Sequence, residues 1–431
     1  MRLQRAFVCI LSIAALVPIL GCGTWKAEAG SITENSSTSS FVSNTITSSL
    51  VVDHPHYPIF PASTHLNVLE HTNTWYNFSI PDGENGYRWG YMNGRFTMER
   101  TNSGGRTWCP VVLPVSWSQG LMMEGNGQLE NPNVQVVNGH TIRVFGVIGK
   151  RLEVLCSNDG GDEFTRKRIP LPVSSLRLES VSMPKAGTKS AWVLLRGTGK
   201  MASVHELLHV QEEGGTCSLE HLVQGTQDAG LPVNAQGTVH FMNTHQGWVV
   251  ATTSDGQLHV YMTSDEGDSW SHRIMEPPHG LTGWKAAKVY PPALCGKEAT
   301  FVVRFVGLKQ GRASVEPVVY RTRDGAGHFD GQVVSMLTDA VSNYTGNPVC
   351  FINPKVGYAV SGGHLMRTAD AGSKWESVRS LQLENTLHQY PCVLGMDFIS
   401  TEQGFILLQS HDHVHNILLR TVNQGSSWTV V

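Results

Sequence analysis

Gln246-Gly-Trp-Val-Val-Ala-Thr-Thr-Ser-Asp-Gly-Gln-Leu-His-Val-Tyr-Met-Thr-Ser-Asp-Glu-Gly-Asp-Ser-Trp270 decides the fold. It reads as a strand, an Asp-Gly turn, a second strand and a closing turn that ends on an aromatic residue. Its last eight residues follow a pattern: Ser or Thr, any, Asp or a substitute, any, Gly, any, any, aromatic. Five other segments share it: Thr101-Asn-Ser-Gly-Gly-Arg-Thr-Trp108, Ser157-Asn-Asp-Gly-Gly-Asp-Glu-Phe164, Thr322-Arg-Asp-Gly-Ala-Gly-His-Phe329, Thr368-Ala-Asp-Ala-Gly-Ser-Lys-Trp375 and Thr421-Val-Asn-Gln-Gly-Ser-Ser-Trp428.

The closing aromatics of these boxes, Trp108, Phe164, Trp270, Phe329, Trp375 and Trp428, lie 56, 106, 59, 46 and 53 residues apart. The 106-residue gap is two periods, and the degenerate stretch Glu212-Glu-Gly-Gly-Thr-Cys217 stands where the missing box belongs. Seven repeats of about 53 residues reach back from Val431 to residue 59. Most also carry an upstream Gly- or Ala-aromatic pair, as in Gly86-Tyr87, Ala191-Trp192, Gly247-Trp248, Gly357-Tyr358 and Gly404-Phe405. A four-stranded meander of this length cannot bury both of its faces alone. Ring closure of seven meanders leaves only short edges. The expected fold is all-β, a β-propeller of seven four-stranded blades over residues 59–431.

Within a box, the carboxylate of Asp159, Asp265, Asp324 or Asp370 is expected to accept hydrogen bonds from its own turn. Ser103 and Asn423 replace it as weaker locks. The Gly supplies a positive φ and the aromatic staples the turn to the sheet. Ala326 stands in the Gly position, which predicts a differently bent turn there. These residues resemble Asp-box (BNR) repeats, and the resemblance covers most of residues 59–431. It is strongest to the photosystem II stability/assembly factor-like propellers, which also combine a Gly-Trp/Tyr strand with a terminal Thr-x-Asp-x-Gly-x-x-Trp. That resemblance implies structural box residues on the turn between the third and fourth strands, and another protein as partner.

Arg2 and Arg5 precede a 15-residue apolar stretch, residues 6–20, which reads as a secretory signal. Ile19-Leu20-Gly21-Cys22 resembles the bacterial lipobox, which implies a signal peptide over residues 1–21 and lipidation of Cys22. Residues 22–58, rich in Ser and Thr, read as a flexible stalk. The expected place is extracytoplasmic, anchored to a bacterial membrane through the N-terminal lipid. No later apolar run is long enough to span a bilayer.

The net charge of −3 gives no basic footprint for nucleic acid. A sialidase-like glycoside hydrolase would need three arginines, a Tyr–Glu pair and a further acid converging from several blades. Arg168-Ile169-Pro170 has the letters of a sialidase motif but follows the second box, and Tyr344 and Tyr390 near blade starts lack an identifiable Glu partner. The weight falls against an enzyme, with the question left open. His411, His413 and His415 form the one metal candidate, since alternation puts three imidazoles on one side of an extended segment. A solvated hairpin between the second and third strands is the competing reading. After Cys9 and Cys22, six cysteines remain. They allow up to three disulfides, Cys109 with Cys156 among the conceivable pairs, or buried free thiols. No C-x-x-C, no cofactor and no strongly amphipathic helix are expected, and the chain is expected to be a monomer. The functional expectation is a protein-binding scaffold or assembly factor for an envelope or membrane complex. The alternative is a glycan-binding protein or a sialidase-like hydrolase, with Trp117, Trp284 and Tyr290 as candidate platform aromatics.

Overall fold

The computed structural model describes residues 74–120, 132–171, 175–183, 190–197, 205–213, 216–224, 236–343 and 346–431. The lipobox with Cys22, the stalk, residues 59–73 and Tyr344 lie outside these. The described residues form seven sheets, each antiparallel and built from one continuous segment in the order inner, second, third, outer. Their inner strands are Thr74–Ser79, Asn133–Val136, Leu176–Ser182, Gln236–Phe241, Lys285–Val289, Val349–Phe351 and Cys392–Phe398. The propeller has seven blades, the number that the box spacing predicts. Blade 5 adds a short strand, Ala293–Cys295, paired to its second strand.

The eroded repeat is blade 3. Its third strand His205–Glu213 pairs with its outer strand Thr216–Gln224 through Glu213 and Thr216, so a tight hairpin replaces the seven-residue box turn. The two glycines between them lie outside the described residues.

Every described box turn joins a third strand to an outer strand. The hub of the turn is its first residue, a role the pattern alone does not reveal. Thr368 Oγ1 accepts the Gly372 N–H at 3.0 Å and donates to Asp370 Oδ1 at 2.9 Å. Asp370 Oδ1 in turn accepts the Lys374 N–H at 2.8 Å. The same relay runs through Ser157, Thr263, Thr322 and Thr421. Ser103 and Asn423 keep its geometry, accepting the N–H groups of Thr107 and Ser427 at 2.9 Å each. The indole N–H of Trp270, Trp375 and Trp428 closes each turn on the carbonyl of the box Gly.

Two consecutive residues in each turn have positive φ, for example Gln424 at 63° and Gly425 at 87°. Ala326 corrects the expectation of a different bend. Its φ is 69°, and its N–H still donates to Thr322 Oγ1 at 3.1 Å. The relay holds an alanine in the left-handed region at a cost of about 1 kcal/mol.

The Gly-aromatic pairs also have a spatial reason. A Cβ on Gly247, Gly357 or Gly404 would lie 2.5, 2.7 or 2.5 Å from the ring of Phe241, Phe351 or Phe398 at the end of the inner strand. Glycine therefore makes room for that ring. Phe398 then packs edge-on against Trp428 of its own blade and stacks on Tyr358 of the preceding blade, with ring centroids 3.7 Å apart. Phe241 is set likewise between Trp270 and Trp192.

Arginines just before the box Thr reach the next blade. Arg100 Nη1 donates to Gly160 O at 3.1 Å, Arg321 bonds Ser373, and Arg420 Nη2 meets Glu84 Oε1 at 2.7 Å. The last of these joins blade 7 to blade 1. There Phe78, Ile80, Leu394, Phe405 and Leu407 form a shared core, so the ring closes by packing without strand exchange.

The alternation of strand directions gives the ring two distinct faces. The box face carries the boxes and the turns between inner and second strands. The opposite connection face carries the hairpins between second and third strands and the links from blade to blade. Three short helices lie in those links: α1 (Val115–Gly120), α2 (Thr338–Asn343) and α3 (Leu381–Gln389). The residue pattern gives no strong amphipathic signal for α3. It is held by the Ser380 cap and by burial of Leu383 and Leu387.

Thr368→Val, which keeps the shape and removes the hydroxyl, is expected to destabilise the protein by about 1–3 kcal/mol through the orphaned Gly372 N–H. Urea unfolding measures it, and an unchanged midpoint contradicts the hub role.

Candidate binding surfaces

The box carboxylates are engaged in their turns. Asp265 is held down to about 2, first by the Ser269 hydroxyl and then by the Ser269 N–H and the Thr263 hydroxyl. Asp324 is held lower still by His328. These groups are exposed but already saturated with donors. Arg100, Arg321 and Arg420 at this face are likewise engaged between blades. Arg168 lies on the outer strand of blade 2, where its Nε is 3.6 Å from Glu153 Oε1.

The His411–His415 stretch sits, as expected, in the hairpin between the second and third strands of blade 7. It is a compact turn rather than an extended segment, so alternation does not align the three rings. His413 takes a φ of 58° and its Nδ1 lies 3.0 Å from Gln409 Oε1, while His415 Nδ1 lies 3.3 Å from Asp412 Oδ2. Among the described residues, no three His, Cys, Asp or Glu side chains are grouped to hold a metal ion. Among the described residues, Cys109, Cys156, Cys295, Cys350 and Cys392 form no disulfide, so Cys109 and Cys156 are not bridged. Trp117 and Tyr290 are core residues and Trp284 packs against the blade 5 core, where a Cβ on Gly307 would touch its ring. Tyr390 caps α3 and packs in the same way.

Near the ring axis the inner strand of blade 3 satisfies the free edge of blade 4. Glu179 Oε1, Ser180 Oγ and Ser182 Oγ accept the N–H groups of Gly237, Val239 and Phe241 at 2.9, 3.2 and 2.8 Å. Glu179 is the extra residue of a bulge in that strand. Burial pushes its carboxyl up to about 7, against the opposing pull of Arg196. Burial also pushes His240 down to about 4. Folding thus favours a proton on Glu179 and the loss of one from His240, and the two trends oppose each other between pH 4.5 and 6.5.

The most distinctive open feature is the side wall at blades 4 and 5. Most outer strands are guarded against pairing: Cys109–Val111 contains Pro110, Thr165–Pro170 carries three cations and a proline, and Glu376–Val378 and Thr429–Val430 are very short. The outer strand of blade 4, Ser271–Met275, has five residues and no proline, and its Ile274 is 52% exposed. On one side, His272 is held by His259, with Nδ1 to Nε2 at 2.9 Å, and by stacking on Tyr261. On the other, a cavity of about 430 Å³ opens between blades, lined by Arg273, Met275, Pro278, Tyr320 and Phe329 among others. Arg273 Nη1 spans its end to Gly327 O at 2.7 Å. The sequence contains the signal for this edge, a proline-free strand ending in Ile274-Met275 after a box. Only comparison with the other outer strands makes it stand out.

No family model matches the chain, and no curated protein matches it. Solved structures do resemble it. The polysaccharide lyase Uly1 is 9% identical with a TM-score of 0.52, over 84% of this chain and 94% of that one. A six-bladed fucose-recognising lectin of Aleuria aurantia is 10% identical with a TM-score of 0.42, over 84% and 96%. YCF48 bound to a D1 peptide is 17% identical with a TM-score of 0.31, over 67% and 91%. At these identities the likeness is one of fold, the β-propeller.

Glu179→Gln keeps the acceptor and removes the titration. Because the folded carboxyl titrates near 7 against 4.5 in the free group, the native chain is expected to lose stability relative to the variant as pH rises from 4.5 to 7. The loss is on the order of 3 kcal/mol and levels off above that window. Denaturation of both proteins across pH 4–8 checks it, and parallel curves contradict it.

Proposed function

We propose that this chain is a lipid-anchored, extracytoplasmic propeller that binds another envelope or membrane protein and serves as a scaffold for its assembly or stability. The observation that carries the binding reading is the unguarded outer strand of blade 4 beside its cavity. An edge strand presents a row of unpaired N–H and C=O groups, and an extended segment of a partner can add to it as one more strand. Alternate side chains of such a segment point to the two sides, and one set meets the cavity over Tyr320 and Phe329. A volume of about 430 Å³ accommodates one or two apolar side chains. Backbone pairing supplies affinity there and the cavity supplies selectivity. The signal and lipobox residues 1–22 support placement outside the cytoplasmic membrane. The repeat resemblance to assembly-factor-like propellers supports a protein partner.

The glycan reading loses support because Trp117 and Tyr290 are buried in the core. The hydrolase reading gains none from Arg100, Arg321 and Arg420, which are spent between blades.

In-cell crosslinking from position 274 tests the proposal. One dominant membrane-protein adduct is expected, reduced at least five-fold by Arg273→Pro or Met275→Lys, with Cys22→Ser showing which contacts need the anchor. Adducts that both edge variants leave unchanged would refute the edge as the binding site.

A further inference from the structure

We infer that the connection face of the propeller seats against an anionic lipid bilayer, with the box face turned away from it. The inference goes beyond partner binding at the side wall and uses different residues.

The first observation is where large apolar side chains are exposed. Val112, Val115, Leu308, Met336, Leu381 and Val414 are all exposed on hairpins or blade-to-blade links of the connection face. On the box face Val422 is the counterpart, and Ile274 and Val430 lie on outer strands. The six come from the surroundings of blades 1, 5, 6 and 7. A protein interface concentrates its apolar area in one packed centre. Separate apolar tips spread around a rim suit a fluid surface that each can enter independently.

The second observation is charge. The hairpin tips of the connection face carry Arg95, Lys150, Arg151, Lys309 and Arg312, all exposed, against Asp255 and Asp412, and the links add Arg379 against Glu276 and Asp339. The box face presents Asp82, Glu84, Asp159, Asp162, Asp265 and Asp268 among its acids, with fewer cations. An anionic surface therefore attracts one face and repels the other, by about 1 kcal/mol for each cation brought close. Lys309 is shared with Glu316 at 2.7 Å, which leaves Arg312 as the free charge of its hairpin.

The third observation is the blade 5 hairpin. Its strands Glu298–Lys309 and Arg312–Thr322 keep pairing through Gly307–Ser314, Leu308–Ala313 and Lys309–Arg312, beyond the last partner of the inner strand at Val306. The result is a finger with exposed Leu308 and Arg312 at its tip and Trp284 packed at its base. Finally, the chain enters blade 1 at Thr74, the end of the inner strand on this same face.

The test places an environment-sensitive fluorescent amino acid at position 308 or, as the box-face control, at position 355. The full chain is added to vesicles of phosphatidylcholine with 30% phosphatidylglycerol, with brominated lipid as quencher. The expected result is a blue shift and quenching at 308 but not at 355. The response should weaken at least three-fold in Lys150→Glu/Arg151→Glu/Arg312→Glu, in high salt or on pure phosphatidylcholine. No response at 308, an equal response at 355, or a 308 response indifferent to charge would overturn the inference. Mass spectrometry of Cys22 reports lipidation separately. A chain without lipid that still responds at 308 keeps the docking face while removing the anchor.

Discussion

One hydroxyl in each of six blades organises the ring. The first Ser or Thr of each box accepts a buried N–H, of glycine in five boxes and of Ala326 in the other, and pairs with the Asp, Ser or Asn two residues on, which then holds the far side of the turn. Two adjacent residues with positive φ make the turn tight enough for this, and the relay is strong enough to hold even an alanine in that region. The turn also sets the box tryptophan against the inner-strand phenylalanine. Without the relay the tryptophan has no fixed position, and the stack between neighbouring blades loses one of its layers. A local hydrogen-bond motif therefore supports a long-range packing contact.

The blades are joined by two kinds of contact that serve different ends. Stacked rings such as Tyr358 on Phe398 and Trp192 on Phe241 bury apolar area and set the spacing between sheets. Arginines from the third strand bond box-face turns of the next blade and fix which turn meets which, because guanidinium geometry is directional. At the seam between blades 7 and 1 both kinds recur, with Phe405 on Phe78 and Arg420 on Glu84. Closure thus uses the same chemistry as every other interblade contact. The outer rim needs no such contact, so an unguarded strand is tolerated there only if its edge does not pair indiscriminately. Blade 4 departs from blades 1, 2, 6 and 7 at that point.

The two faces divide the work. Saturated acidic turns occupy one face, and the carboxylates of Asp265 and Asp324 there are held below the usual range by their own donors. On the other face the hairpins and links are free to vary in length, and there the blade 5 finger, the three helices and the exposed apolar tips accumulate. A partner strand at the side wall and a lipid surface under the connection face are geometrically compatible, because they use different edges of the same ring.

The repeat count, the strand order and the position of each box were legible in the chain itself, because a short-range turn motif recurs at a fixed period and each meander is continuous in sequence. The missing third box could also be placed, since the period fixes where it belongs. Local chemistry did not disclose that the box hydroxyl is the hub, that Ala326 adopts the same left-handed turn, or that Arg100, Arg321 and Arg420 bind the next blade. The arginine partners lie 52 or more residues away, while the relay is local but the residue pattern does not say which of its polar atoms is central. The three histidines of blade 7 read as a possible ligand set on the assumption of an extended segment, and a positive φ at His413 removed that assumption. The side-wall cavity belongs to no single segment at all. Blade 4 supplies Arg273 and Met275 and blade 5 supplies Tyr320 and Phe329, and only the packing of one sheet beside the next brings them together.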